Sequence, residues 1–255
     1  MQYIGSRQNE TVRGLRALKD AKARNGTGLF LVEGRKLCEE ALRDGSVETL
    51  LVHDQKADAY GTMLRGVKNA MIAPAHVVAS VCETKTPQGI VAAVRFPAPL
   101  SLCGATGPLL ALDGVQDPGN VGAILRTAEA AGFRGALLSE DCSDPFSPKA
   151  VRASMGSVLR LPVLRGALHA PLTALKADGF RLLSAELNGS PPDRRITGRP
   201  VILVIGGEGR GVSGEISALA DARVALPMRG RAESLNAAVA AGIFMYWLTM
   251  GMPCN

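Results

Sequence analysis

A repeated alternation constrains this chain more than any other feature. Short apolar runs (LLALDGV, GALLS, LPVL, RLLSAEL, VILVI and VALPM) are separated by stretches of helix length, among them NVGAILRTAEAAG, SPKAVRASMGSV and APLTALKADG. Buried strands alternating with such helices predict an α/β fold with a mostly parallel sheet covered on both faces. Open sheets of this kind hold ligands in the loops at the carboxyl ends of their strands. Two such loops follow VILVI and VALPM, and the stretch from Val201 to Gly242 is therefore expected to bind something small and partly polar.

A separate, smaller α/β unit precedes this sheet. LFLVEG, VETLLVH, AMIA and GIVAAVRF read as strands, interleaved with helices over RKLCEEALRDG, AYGTMLRGVKNA and HVVASVCE. PAPLSLCGATGP clusters Pro, Gly, Ser and Thr between two β runs, which marks a linker. The expected division is residues 1–97, a linker at 98–107, and a second domain at 108–255. At 255 residues and 47% hydrophobic, the chain can bury one core or two smaller ones.

Charge and composition narrow the partners. A net charge of +6 favours a polyanion, while 4% aromatic residues exclude base stacking as the main mode of binding. Residues 7–24 read as one cationic helix, with Arg13, Arg16, Lys19, Lys22 and Arg24 alternating with Val12, Leu15, Leu18 and Ala21. That face suits phosphates, and it suits a plain solvated surface equally well. The five cysteines, Cys38, Cys82, Cys103, Cys142 and Cys254, form no CxxC pair, as expected of reduced thiols in the cytoplasm. His53, His76 and His169 lie far apart, which argues against zinc. No signal segment is evident and no apolar run is long enough to span a membrane.

Three stretches carry chemistry. After LLALDGVQDPGN, Pro118 suits an early helical position, and Val121, Ile124, Leu125 and Ala128 form a buried stripe. Arg126 lies off that stripe and leans back over Gly122 and Gly119, with room to clamp a phosphate. A surface salt bridge to Glu129 is the plainer alternative. In GGEGRGVSGE, Gly209, Gly211 and Gly214 satisfy G-x-G-x-x-G. The first glycine, however, comes late after the strand, and the next strand ends in Leu226-Pro227 rather than in a ribose-gripping acid. A nicotinamide-dependent oxidoreductase therefore has only glycine spacing in its favour. A P-loop fails because Val212 stands where Lys is required. Glu208, set among glycines, is left without a conformational explanation. In RGRAESLNAAVAAG, Ser234 reads as the N-cap and Asn236 as a first-turn residue, ahead of a helix apolar on every side that must be covered all round.

In order and spacing, NVGAILRTAEAAGF (Asn120 to Phe133), LVIGGEGRGVS (Leu203 to Ser213) and VALPMRGRAESLNAAVAAGI (Val224 to Ile243) resemble the three motifs of the SpoU-type RNA 2′-O-ribose methyltransferases of the SPOUT superfamily. KAVRASMGS (Lys149 to Ser157) is also similar to that family. The N-terminal unit, through FLVEGRKLCEEAL and TPQGIVAAV, resembles the RNA-binding domain of its ribosomal-RNA branch, a small α/β fold shared with some ribosomal proteins. The resemblance implies a deep C-terminal trefoil knot, a homodimer and S-adenosylmethionine as methyl donor, with no metal. It implies catalytic or substrate-positioning roles for Asn120, Arg126, Glu208, Ser234 and Asn236. It implies cofactor contacts from Ile205, Gly206, Gly207, Glu208, Gly209, Leu226, Pro227 and Met228, with Ser234, Leu235 and Asn236. RNA contacts would come from Arg13, Arg16, Lys19, Lys22, Arg24, Arg35 and Arg126. Large-subunit (23S) ribosomal RNA is the implied substrate, with tRNA and a catalytically inactive RNA-binding relative as alternatives.

Overall fold

The computed structural model describes residues 2–191 and 200–250, and divides into two compact units. One holds residues 1–97 together with 146–159, and the other holds residues 98–145 and everything from 160 onward. Cys254 lies outside the described residues; Cys38, Cys82, Cys103 and Cys142 are free thiols.

The first unit runs β1 (Gln2–Tyr3), α1 (Glu10–Ala17), α2 (Ala21–Thr27), β2 (Leu29–Glu33), α3 (Arg35–Arg43), β3 (Val47–His53), α4 (Gly61–Arg65), β4 (Asn69–Ala73), α5 (Ala75–Val81) and β5 (Ile90–Arg95). Its sheet has the order β1-β4-β3-β5-β2, with β5 antiparallel to both β3 and β2. Period-two burial splits each strand between two layers: Phe30, Leu50 and Ala92 face one apolar cluster, and Leu31, Leu51 and Val91 face the other. Val151, Val158 and Leu159 join the first of these clusters. Thus α7 (Pro148–Ser154), flanked in sequence on both sides by the second unit, packs in the first unit.

The cationic stretch differs from the single helix expected. Asp20 interrupts it, accepting from the Lys22 N–H at 2.7 Å as the N-cap of α2. Arg24 turns inward and is buried, its Nη1 donating to the carbonyls of Leu18 (2.9 Å) and Lys19 (2.8 Å) left open at the end of α1. It is therefore a structural capping residue, and its proposed RNA contact is corrected. Lys19 is also engaged, donating to Ser80 O and Cys82 O. Arg13, Arg16 and Lys22 are exposed, as is Arg35, which pairs with Glu39 at 2.7 Å.

In the second unit, β6 (Leu109–Asp113), α6 (Pro118–Ala130) and β7 (Ala136–Leu138) precede the excursion through α7 and α8 (Ser157–Arg160). After it come β8 (Val163–Arg165), α9 (His169–Ala177), β9 (Arg181–Ser190), β10 (Val201–Gly206), α10 (Gly214–Leu219), β11 (Ala222–Val224) and α11 (Ala237–Thr249). The strand order is β11-β9-β10-β6-β7-β8, and every pair is parallel. Leu110, Leu112, Leu203 and Ile205 face α6 and α11, whereas Leu109, Ala111, Ile202 and Val204 face the layer of α9 and α10. Residues 98–107, expected as a linker, belong to this unit, with Leu100 buried beside Leu109 and Leu137. VALPM is a strand only as far as Val224; Leu226 to Met228 form a loop, consistent with Pro227 having no N–H to give a ladder.

Candidate active site

The site forms where the central strands end. Asp117 caps α6 by accepting from Gly119 N, and Pro118 occupies the first turn, where its missing N–H costs nothing. This places Asn120 in the first turn of α6, close to the end of β6.

β10 leads into backbone packed too closely for side chains. A β-carbon on Gly207 would lie 2.1 Å from Gly114 O, and one on Gly206 would lie 2.1 Å from the carbonyl carbon of Gly211. The glycines are thus required by close approach. Gly207 N donates to Asp113 O at 2.9 Å, and Ser213 N donates to the Asp113 carboxylate at 2.7 Å. Together these bonds pin the 207–213 loop to the end of β6.

That loop presents Glu208 to Asn120, whose Nδ2 donates to Glu208 Oε1. Asn120 Oδ1 in turn accepts from Asn236 Nδ2 at 3.1 Å. Asn236 Oδ1 accepts from the N–H groups of Ala238 (2.9 Å) and Val239 (3.3 Å). Asn236 is therefore the N-cap of α11; the expectation that Ser234 would cap it is corrected. The polarity runs one way, from the helix N-terminus through two amides to a carboxylate, and each bond fixes the orientation of the next amide. Three sequence-distant motifs meet here through side chains alone. Arg126 stands exposed further along α6. The alternative partner named for it is taken, because Glu129 accepts from Arg160 Nε at 2.9 Å.

Beside this relay lies a cleft of about 470 Å³, within the range of small-molecule sites. Of the residues expected to contact a cofactor, Ile205 to Gly209, Leu226, Met228, Ser234 and Leu235 line it, and Pro227 and Asn236 do not. Sequence reasoning missed the end of β9, where Ala185 to Asn188 form another wall, as well as Phe244 of α11. RLLSAEL was legible as a parallel strand, so the carboxyl-end rule applied there as well. A second recess of about 150 Å³, on the Asp113 and Asp141 side, shares Glu208 to Gly211 with the first.

The profile of the SpoU rRNA Methylase family matches residues 107–246, and that of the MRM3-like substrate binding domain matches residues 9–92. The chain is 36% identical to the 23S rRNA (guanosine(2553)-2′-O)-methyltransferase RlmP of Bacillus subtilis, over 97% of this chain and 99% of the relative. Among solved structures, an AdoMet-bound rRNA methyltransferase from Sinorhizobium meliloti superposes with a TM-score of 0.87 at 31% identity, covering 99% of both chains. The SpoU methyltransferase AviRb of Streptomyces viridochromogenes, also in complex with AdoMet, superposes with a TM-score of 0.86 at 30% identity, over 95% of this chain and 98% of that one. With the relay, the glycine-walled cleft and these full-length similarities together, the chain belongs to the SpoU rRNA methylase family.

Proposed function

We propose that this protein transfers a methyl group from S-adenosylmethionine to a ribose 2′-hydroxyl of RNA, and that the RNA is large-subunit ribosomal RNA. The observation carrying this reading is the Asn236–Asn120–Glu208 relay, which ends at Glu208 on the wall of a cleft sized for a nucleoside-containing ligand. The Bacillus subtilis relative is named for this chemistry on 23S rRNA, and two solved relatives hold AdoMet.

The residues fit such a donor. Gly206 and Gly207 hold the loop that walls the cleft against the Gly211 and Gly114 backbone, Leu226 and Met228 offer apolar contact, and Glu186 carries a buried carboxylate oxygen with no hydrogen-bond partner. When bound there, S-adenosylmethionine supplies a methyl group activated by its sulfonium. Asn120, locked at both ends of its amide, and Glu208 shape the wall where the RNA ribose is held. Arg126, a fixed guanidinium fork, clamps an RNA phosphate, so its work is positioning. The proton leaving the 2′-hydroxyl goes to that phosphate.

Three finer features belong to this reading. The stripe Val239, Ile243 and Tyr246, 51%, 45% and 47% exposed, extends from Leu235 at the cleft and supports a homodimer in which a second copy covers α11. The match to the SpoU family over residues 107–246 supports the trefoil-knotted thread that the resemblance implies. Stretching a knotted chain by its termini leaves it shorter than full extension; reaching full extension would refute the knot. Four free thiols and the absence, among the described residues, of a helix long and apolar enough to cross a membrane support a cytoplasmic setting.

Mapping 2′-O-methylation on ribosomal RNA and tRNA incubated with protein and donor tests the function. The expected result is one modified ribose in large-subunit RNA, lost in Arg126→Ala. Modification of tRNA instead would favour the second reading, prompted by the Synechocystis relative named as a tRNA/rRNA methyltransferase (34% identical over 95% of this chain and 92% of the relative). Cofactor binding without modification of either RNA would indicate an inactive RNA-binding relative.

A further inference from the structure

The carboxylates at the carboxyl edge of the second sheet are not equally satisfied. Glu208 accepts from Asn120, and Asp113 accepts from Ser213 N. Glu186 does not share this condition. It follows Ala185, which pairs with Ile205, and so stands beside the start of the glycine loop at the wall of the larger cleft. Its side chain is only 16% exposed, and Oε1 is buried without a hydrogen-bond partner. Among the described residues the nearest cation is Arg223, whose Nε is 3.7 Å away, beyond hydrogen-bond range. A carboxylate oxygen taken from water without a hydrogen-bond donor carries a desolvation cost that an ion pair at this distance offsets only in part. A ligand that filled the cleft and brought hydroxyl donors would offset it.

We infer that Glu186 is a cofactor-binding residue whose carboxylate accepts from the ribose hydroxyls of S-adenosylmethionine; this rests on the donor reading given above. The sheet order supports the assignment. β9 lies between β11 and β10, and β6 lies beyond β10, so Glu186 is two strands, roughly 10 Å, from the line of β6 that leads to Asn120. The methyl must be delivered on the Asn120 and Glu208 side, and the nucleoside then extends toward β9 and β11. Leu226, in the loop after β11, lines the cleft and offers an apolar surface suited to the adenine. The ribose attached to that base falls within reach of the intervening strand, β9. Two ribose hydroxyls match a carboxylate's two acceptor oxygens, and the arrangement favours a nucleoside over ligands without vicinal hydroxyls.

Titration calorimetry with S-adenosylhomocysteine and with 5′-methylthioadenosine, which keeps the nucleoside and lacks the amino acid, tests the inference. Glu186→Gln is expected to weaken both ligands by about tenfold to a hundredfold. Arg223→Ala, which removes the ion-pair partner, is expected to bind both like the parent protein. Thermal melting of each variant separates loss of binding from loss of fold. Unchanged affinity in Glu186→Gln would overturn the inference and leave the methyl-donor reading standing. A loss confined to S-adenosylhomocysteine would overturn it in favour of an ammonium contact. Equal losses in Glu186→Gln and Arg223→Ala would make Glu186 an ion-pair residue only. Failure of the parent protein to bind either ligand would instead overturn the donor reading itself.

Discussion

At the scale of single residues, Asn236 joins stability to the site. Its carboxamide oxygen caps α11, and its nitrogen orients Asn120. Asn236→Ala is expected to cost about 1 kcal/mol of stability, seen in the midpoint of chemical denaturation. Ser234→Ala is expected to stay within about 0.5 kcal/mol, because Ser234 is exposed and caps nothing. Asp221 makes a pH-dependent contribution in the same unit. Burial pushes its carboxyl up, but the Leu182 N–H at 2.8 Å and the Lys176 ammonium at 2.9 Å outweigh burial and hold it below the ordinary value. A depressed carboxylate stabilises the fold above the unfolded pKa, and that contribution is lost as pH falls through the folded value. Asp221→Asn should therefore melt lower than the parent at pH 7, with the gap closing below about pH 4.

At the scale of elements, the 206–213 loop and the N-terminus of α11 decide the geometry. Gly207 shows why: a methyl group there meets the Gly114 carbonyl of a neighbouring loop, and backbone cannot rotate away as a side chain can. Gly207→Ala is expected to cost about 1–3 kcal/mol, read as a lowered melting temperature, and to weaken donor binding as the loop shifts. The cationic N-terminal stretch carries the opposite lesson. Its apolar spacing was legible as one helix, yet Asp20 offers a second cap and Arg24 offers donors to the carbonyls at the break. Local hydrogen bonding won over continuous periodicity.

At the scale of the whole molecule, the proposed association behaviour rests on charge and on the α11 stripe. If Arg13 and Arg16, both exposed, contact RNA phosphates, each Ala substitution should lower the slope of log affinity against log salt by about 0.7. An unchanged slope would remove those residues from the interface. If a second copy covers α11, Val239→Glu should convert a dimeric mass to a monomeric one in light scattering, through an unpaired charge in an apolar contact. A monomeric parent protein would refute the dimer.

Alternating periodicity by itself determined the α/β class and the parallel sheet of the second unit, because burial on two faces leaves a pattern along the chain that needs no partner to read. With the general rule about strand ends, it also pointed to the loops after VILVI and VALPM, and residues of both loops line the cleft. Only the tertiary structure decided which groups meet. Glu208 was unexplained in sequence because its partner, Asn120, is distant along the chain, and no local signal predicts a bond across a sheet. Glu186 was passed over for the same reason, since lacking a hydrogen-bond donor is a property of surroundings. Likewise, residues 146–159 read as another helix of the second unit until packing assigned them to the first, because an apolar stripe specifies that it must be buried and not against what.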